Sequence, residues 1–331
     1  MNRIDSHQRY AIVFVSLFVL IGSMVFVFKR TDLFPWIGAC HAGGYDEEHY
    51  MAYCHSTRYG DYEHYALFKG SEPKVIDALQ AAEVLFLGNS NTQYAFSTQA
   101  ASTYFANTGI SHYVMGFGNG AMSPVAQTII ETHQLNPSVL VVNADPFFST
   151  EINGTFQVLL DAGDSNRVQY DRKRRLQQWQ QSVCADEHSS WQSWLCQGSA
   201  ETLYRNRSNG HWKTDFYRED LKIPVSVADT ALLDELNDAT QSARQFIEAV
   251  GVPAECTVIT VSPRTRTPKA FAQQLASDLG AVSVFPDVEG LLTIDHSHLN
   301  YLSAERWSTA VLAELDPVIE SCVKPVVAQK L

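Results

Sequence analysis

Val-Leu-Phe-Leu-Gly-Asn-Ser-Asn-Thr, at residues 84–92, is the stretch that decides the fold. Its apolar half predicts a buried strand, and the glycine and polar residues that follow predict the end of that strand. Ser90 is therefore expected at the exit of the strand. A serine hydroxyl becomes a nucleophile only when a histidine takes its proton, so the sequence must also supply that histidine.

Strand-like and helix-like patterns alternate along the rest of the chain. The predicted strands lie at 83–88, 112–116, 138–144, 256–261 and 282–285. The predicted helices lie near 97–107, 122–134, 238–250, 267–279 and 302–321. This alternation predicts an α/β fold in which helices cover a central parallel sheet. In such sheets the functional site lies at the carboxyl ends of the strands, where Ser90 is placed.

Asp295-His296-Ser297-His298, just before the last predicted helix, supplies the histidine. Asp295 and His298 are three residues apart, so one turn can present both side chains on one side. His296 is the alternative base. A second interpretation makes Ser90 and Asp295 caps of the helices that follow them, but it leaves His298 without a role.

These motifs resemble those of the SGNH, or GDSL-like, hydrolase and acyltransferase superfamily over roughly residues 83–320. The family's first block, Gly-Asp-Ser, reads Gly-Asn-Ser at 88–90, and its last block, Asp-x-x-His, is intact at 295–298. The resemblance implies a flavodoxin-like three-layer α/β/α sandwich. It also implies a triad in which Ser90 is the nucleophile, His298 the general base and Asp295 its orienting partner.

The resemblance further implies an oxyanion hole at the ends of the next two strands. The second block, a glycine whose amide binds the oxyanion, falls within residues 116–120. The third block, Gly-x-Asn-Asp, corresponds to residues 142–145 with Ala144 in the asparagine position, so Asn119 or Asn143 could substitute. The predicted oxyanion and binding residues are Gly116, Gly118, Asn119, Gly120, Asn143 and Asp145.

Residues 11–28 carry no charge and, as a helix, would span about 27 Å, close to the hydrocarbon core of a bilayer. A cleavable signal peptide would have a shorter apolar region and a small-residue site after it, whereas Lys29-Arg30 follows here. We expect a single-pass anchor in the lipid bilayer with a cytoplasmic amino terminus. Positive charges on both sides leave the orientation weakly determined.

All six cysteines follow the anchor, at positions 40, 54, 184, 196, 256 and 322. An even number in an exported domain predicts disulfides, here 40–54, 184–196 and 256–322. A loop of about 15 residues closed by such a bond stabilises by roughly 3 kcal/mol in the chain-entropy model. Zinc held by Cys40-His41 and Cys54-His55 is the alternative, although adjacent pairs do not follow zinc-finger spacing. Buried free thiols are the other alternative.

The predicted organisation is a cytoplasmic tail and anchor at 1–30, a juxtamembrane segment at 31–82, and an α/β domain at 83–325. A helical insertion interrupts that domain at about 150–236. The formal net charge of −12 argues against a nucleic-acid partner. Phosphate-binding glycine loops and metal-ligand clusters are absent from the predicted strand ends, so we expect no cofactor and no metal.

The resemblance and the anchor together predict an acyltransferase in the bacterial inner membrane, with its catalytic domain in the periplasm. It would move an acyl group, most simply acetyl, through a Ser90 ester onto an envelope glycan. Its partners would be an acyl donor, a glycan acceptor and a multispanning membrane acyltransferase. The alternatives are an esterase with the same triad and a non-catalytic binding scaffold that retains the fold.

Overall fold

The structure is a computed structural model that describes residues 6–30, 46–54, 66–118, 122–149, 202–214, 222–228 and 232–323, with 175, 179, 180, 182–184, 196 and 230. Two compact units divide the chain. The first contains the amino-terminal helix, and the second contains the central sheet.

The elements are numbered in chain order over the described residues. The strands are β1 His49–Cys54, β2 Val84–Asn89, β3 His112–Phe117, β4 Val139–Asn143, β5 Thr202–Asn206, β6 Ile223–Pro224, β7 Thr257–Thr260, β8 Val282–Ser283 and β9 Leu292–Thr293. The α-helices are α1 Ser6–Arg30, α2 Pro73–Ala81, α3 Ser90–Phe96, α4 Gln99–Thr108, α5 Ser123–His133, α6 Leu236–Val250, α7 Lys269–Leu279 and α8 Tyr301–Cys322. Short 3-10 turns cover Leu233–Glu235 and Ala254–Cys256.

The central sheet has five strands in the order β3-β2-β4-β7-β8, and every neighbouring pair is parallel. β2 lies between β3 and β4, with Leu85 opposite Tyr113 on one side and Leu140 on the other. The apolar part of β2 is buried throughout, as expected for a parallel strand covered on both faces. The predicted α/β class, the parallel sheet and its five strands are confirmed.

Six helices of the second unit form two groups that pack among themselves. α8 packs against α3 and α4, whereas α6 packs against α5 and α7. Trp307 of α8 is fully buried in the first group, and its ring lies 5.3 Å from that of Phe96. Burying side chains of this size contributes roughly 2–3 kcal/mol each, so α8 holds this side of the core together.

Two small sheets, β1-β5 and β6-β9, were not predicted. β9 pairs antiparallel with β6 and leads directly into residues 294–298. β1 and α2 come from the segment predicted to be juxtamembrane, yet they belong to the unit that holds the sheet, apart from the last residue of β1. The described part of the predicted helical insertion contains β5 and β6 as well as helical residues, and the rest lies outside the described residues.

The structure contains the predicted apolar helix and two of the three predicted disulfides. α1 contains a stretch, His7–Val27, that is long and apolar enough to span a membrane. Cys184–Cys196 and Cys256–Cys322 are disulfides, with Cα atoms 5.6 and 5.8 Å apart, so both predicted pairs are confirmed. Cys54 is also disulfide-bonded, which excludes it as a zinc ligand, and its predicted partner Cys40 lies outside the described residues.

Candidate active site

The turn from β2 into α3 presents Ser90 as the first residue of a helix. Asn89 is the cap of that helix, and its Oδ1 accepts the N–H of Asn91 at 2.9 Å. Gly88 has a φ of +151°, and a Cβ there would lie 2.0 Å from Thr92 Oγ1. Glycine is therefore required for the tight turn. Because Asn89 caps the helix, the interpretation of Ser90 as the cap is wrong.

The structure brings Ser90, His298 and Asp295 into one hydrogen-bonded chain. His298 Nε2 lies 2.7 Å from Ser90 Oγ, and His298 Nδ1 lies 2.6 Å from Asp295 Oδ2. The other carboxylate oxygen, Oδ1, accepts the main-chain N–H groups of Ser297 and His298 at 3.0 and 2.8 Å. The predicted contacts among these three residues are present. Asn300 caps α8, so the interpretation of Asp295 as that cap is also wrong.

The ionised carboxylate of Asp295 determines which ring nitrogen of His298 carries the proton. Burial raises the pKa of Asp295, but hydrogen bonds from the His298 side chain, its charge and the two main-chain N–H groups lower it to about 2. The carboxylate is therefore ionised at neutral pH and accepts a hydrogen bond from the Nδ1–H of His298. That tautomer leaves Nε2 as an acceptor for the Ser90 hydroxyl, so the arrangement can deprotonate the serine.

Several contacts fix the loop that carries Asp295 and His298. Ile294 N–H donates to His298 O at 2.9 Å, and Thr265 N–H donates to His296 O at 3.0 Å. Ser297 Oγ donates to Asn91 Oδ1 at 3.1 Å, which ties the loop to the helix that begins with Ser90. His296 adopts a positive φ of 72° in this turn. His298, and not His296, contacts Ser90.

Tyr94 and Trp212 support the histidine ring, and neither was predicted from the sequence. The Tyr94 ring lies 4.4 Å from the His298 ring, and Trp212 packs edge-on against Tyr94 at 5.8 Å. Tyr94 and Trp212 are buried. The position of Tyr94, one helical turn after Ser90, was a signal for this contact, whereas nothing in the sequence linked Trp212 to the site.

Asn143 and Asp145 lie at the predicted sheet edge, but their side chains have other partners. Asn143 is 1% exposed, its Oδ1 accepts the N–H of Ser262 at 2.9 Å, and its Nδ2 lies 3.5 Å from Asn89 Oδ1. Asp145 is 2% exposed and pairs with Arg264, whose Nη2 and Nε both contact the carboxylate. These contacts join the ends of β2, β4 and β7.

Burial also affects the Asp145 carboxyl group. It raises the pKa of Asp145, the Arg264 guanidinium lowers it, and the negative charge of Glu235 raises it further, with a net increase. The main-chain oxygen of Asp145 accepts Asn89 Nδ2 at 2.7 Å. Asp145 is thus linked to the residue that precedes Ser90.

Among the predicted oxyanion glycines, Gly116 lies where the close approach of another strand requires a glycine. It pairs with Gly88 across β2 and β3, and a Cβ on it would lie 2.6 Å from Asn89 O. Glycine therefore lets β3 approach the turn that carries Ser90. Gly118 lies in the turn after β3, whereas Asn119 and Gly120 lie outside the described residues.

Arg205 of β5 holds the end of β3 in place and was missed by the sequence analysis. It is fully buried, and it donates to Gly116 O at 3.1 Å and to Val114 O. Gln93 of α3 donates to the same two carbonyl oxygens at 3.0 and 2.9 Å. Gln93 therefore links β3 to the helix that begins with Ser90, and Arg205 links β3 to β5.

Within the described part of the chain, no group of three or more His, Cys, Asp or Glu side chains could hold a metal ion. No family model matches the chain, and comparisons with curated proteins and with solved structures gave no significant match.

Proposed function

We propose that this protein is a membrane-anchored SGNH-like acyltransferase that moves an acyl group, most simply acetyl, onto an envelope glycan through a Ser90 ester. The observation that carries the proposal is the continuous hydrogen-bonded chain from Asp295 through His298 to Ser90. Asp295 is ionised, His298 has an acceptor nitrogen facing the hydroxyl, and the serine lies at a strand exit. A scaffold without catalysis would have no need of this alignment.

The strand order supports the flavodoxin-like interpretation of the fold. When the five strands of the sheet are counted in chain order, they lie side by side as second, first, third, fourth and fifth, which is the flavodoxin-like order. The two separate helix groups are compatible with a sandwich that has one group on each face. Ser90 follows the first strand, next to the point where the order reverses.

The proposed reaction has two transfers. His298 Nε2 takes the Ser90 proton while Oγ attacks the acyl carbonyl, and Asp295 stabilises the imidazolium. As the tetrahedral intermediate collapses, His298 returns the proton to the leaving group and the acyl group remains on Ser90. An acceptor hydroxyl then attacks the ester while His298 takes its proton. As the second intermediate collapses, His298 returns that proton to Ser90 Oγ and the acylated product leaves.

The main-chain N–H of Ser90 is the first donor expected for the oxyanion, because first-turn N–H groups of a helix have no partner within the helix. Asn143 contributes less than expected of the third block, because its side chain is buried and paired. Losing one oxyanion donor commonly costs about 10²–10³ in rate. A bound acceptor can compensate through its high effective concentration, which favours transfer over hydrolysis.

An esterase is the second candidate function. The same triad would let water attack the Ser90 ester in place of a glycan hydroxyl. Water can reach the triad, because 48% of the Asp295 side chain is exposed to solvent. Localisation supports the transferase instead: an apolar helix suited to a bilayer would hold the enzyme where a multispanning membrane acyltransferase delivers a donor. The disulfides support a domain that lies in the periplasm and is anchored to the bacterial inner membrane.

The test uses the full chain in detergent micelles, an activated acetyl ester and intact-protein mass spectrometry. We expect one acetyl adduct on Ser90, absent from Ser90→Ala and formed about 10³–10⁴ times more slowly in Asp295→Asn, by analogy with triads that lose the carboxylate. Ser277→Ala, an exposed serine on α7, is the matched control and should behave as wild type. Absence of any adduct from the wild-type chain would contradict the proposal.

Transfer and hydrolysis are separated by adding a glycan oligomer to the acylated protein. The transferase predicts that the adduct disappears faster with the oligomer than with water alone, and that the oligomer gains the acetyl group. Fast turnover of simple esters with no effect of the oligomer would favour the esterase.

A further inference from the structure

A cavity of about 370 Å³ lies at the carboxyl end of β4. Its floor is apolar and includes the buried residues Ala144, Phe148 and Phe271. Its rim is polar and includes Glu235, Asp238 and Ser242, which come from the start of α6 and the turn before it. Ligand sites in proteins are commonly about 300–1,000 Å³, so the cavity has the size of a site for a small ligand, and its polar rim suits a polar one.

The cavity is directly connected to the turn that carries Ser90. Ala144 and Pro146 both line it, and the main-chain oxygen of the residue between them accepts the Asn89 side chain at 2.7 Å. Asn89 immediately precedes Ser90. The rim is also close to this link, because the charge of Glu235 affects the carboxyl group of Asp145. A ligand in the cavity would therefore contact the residues on either side of Asp145, which binds the turn that carries Ser90.

The lining indicates which ligand fits. An acyl chain offers no hydrogen-bond donor to the two carboxylates and the serine hydroxyl of the rim, so it would use only the apolar floor. A sugar presents hydroxyls that donate to carboxylates and exchange hydrogen bonds with a serine, while its C–H groups can contact an apolar floor. Polar rim and apolar floor are thus both satisfied by a saccharide.

The negative charge of the rim indicates which kinds of sugar can bind. Glu235 and Asp238 are exposed carboxylates, and among the described residues that line the cavity there is no lysine or arginine. The nearby Arg264 is paired with Asp145. A uronate or phosphorylated sugar would meet uncompensated negative charge, whereas a neutral or amino-bearing sugar would not.

We propose that this cavity is the acceptor subsite, and that it takes a neutral or amino-bearing sugar unit and rejects acidic ones. The inference rests on the proposed function for the identity of the reaction, but binding can be measured without it. The full chain carrying Ser90→Ala, in detergent micelles, is titrated with three oligosaccharides of equal length: a glucose oligomer, a glucosamine oligomer and a galacturonate oligomer. Isothermal titration calorimetry measures the affinities.

We expect the glucose and glucosamine oligomers to bind at least about tenfold more tightly than the galacturonate oligomer, which corresponds to about 1.4 kcal/mol. Adding Ser242→Phe should fill the cavity and weaken binding by a similar factor. Asp234→Ala, an exposed acidic residue of the adjacent turn that does not line the cavity, is the matched control and should leave binding unchanged.

A second variant keeps the test independent of whether the larger side chain is tolerated. Glu235→Gln with Asp238→Asn preserves the shape, so it should reduce the preference for glucosamine over galacturonate. Equal binding of all three oligomers, binding that survives Ser242→Phe, or no binding would each overturn the inference. Adduct formation on wild-type Ser90 tests the proposed function separately, so the two failures are distinguishable.

Discussion

Asn89 shows how one residue adapts this chain at a position where the SGNH-like pattern has aspartate. Its Oδ1 caps α3, and its Nδ2 donates to the main-chain oxygen of Asp145 at 2.7 Å. An aspartate could perform the first task but not the second, because an ionised carboxylate has no proton to donate. The asparagine is thus explained by the carbonyl that it faces.

Asn89→Asp should therefore destabilise the protein by roughly 1–3 kcal/mol, since it places a carboxylate oxygen against a carbonyl oxygen. Chemical denaturation at neutral pH measures the change. Asn237→Asp, an exposed position on α6, is the control and should change stability little. Equal stability of both variants would show that the hydrogen bond to Asp145 contributes nothing.

At the scale of elements, the turn between β2 and α3 depends on the strand beside it. Gly116 of β3 brings the two backbones close, while Gln93 and Arg205 bond the carbonyl oxygens on either side of residue 115. The position of Ser90 is therefore set by β3 and β5 as well as by its own strand.

Gly116→Ala should lower both stability and the rate of Ser90 acylation. The new methyl group would lie 2.6 Å from Asn89 O and 2.9 Å from Gln93 Cγ, so the turn must move. Overpacking of this kind typically costs about 1–3 kcal/mol, and a displaced nucleophile should react at least about tenfold more slowly. Thermal unfolding and adduct formation give the two readouts. Gly22→Ala, with open space around it, should be neutral.

The sequence predicted the elements that have a strong period of their own. The five strands and five long helices lie within a few residues of their predicted positions, because buried parallel strands and amphipathic helices leave clear patterns. α3 was not predicted, because it is short and almost wholly buried. β5 was not predicted either, and Arg205 gave no sign that it would be fully buried against β3.

The same limit applies to the candidate site. Asp295 and His298 could be paired because they are close in sequence, and Ser90 could be added from its position at a strand exit. Tyr94, Trp212 and Arg264 contribute through contacts between distant parts of the chain, which spacing alone does not indicate. The cavity, formed by β4, α6 and α7 with their adjoining turns, belongs to the same class of feature.

A histidine pair, with His211 buried and His112 half-buried, joins β3 to the segment after β5. His112 Nε2 lies 3.0 Å from His211 Nε2, and His211 Nδ1 lies 3.3 Å from Ser102 Oγ of α4. Burial lowers the pKa of His112 to about 4. It also lowers the pKa of His211, with further contributions from His112 and Arg205. Both rings are therefore neutral in the folded protein at neutral pH.

This pair should make the fold sensitive to acid. Between the unfolded pKa near 6.5 and the lowered folded pKa, the unfolded chain binds more protons, so stability falls as pH falls. Denaturation between pH 7 and pH 4 should show this loss, and His112→Gln should make it shallower. His7→Gln, on the exposed face of α1, should leave the slope unchanged. An identical slope in His112→Gln would contradict the assignment.

At the scale of the whole molecule, the Cys256–Cys322 disulfide ties the start of β7 to the end of α8. The bonded residues are 66 apart in sequence, so the chain-entropy model assigns about 4 kcal/mol of stabilisation to this bond. α8 packs against the helix that begins with Ser90, so the bond also secures the side of the core that supports the site.

The orientation of the amino-terminal helix in the membrane can be predicted from its flanking charges and from the disulfides. Arg3 and Arg9 precede the apolar stretch and Lys29 and Arg30 follow it, so charge alone does not decide its orientation. The disulfides favour an extracytoplasmic domain, because such bonds persist in oxidising compartments and are rare in the cytosol. We expect residues from 31 onward outside the cytoplasm, with alkaline phosphatase fused after Leu331 active in intact cells.

Thiol labelling of the unreduced protein should find Cys256 and Cys322 blocked, and replacing both by serine should lower the free energy of unfolding by roughly 2–5 kcal/mol. A fusion that is inactive, together with freely labelled thiols, would place the domain in the cytosol and remove the envelope glycan as the acceptor.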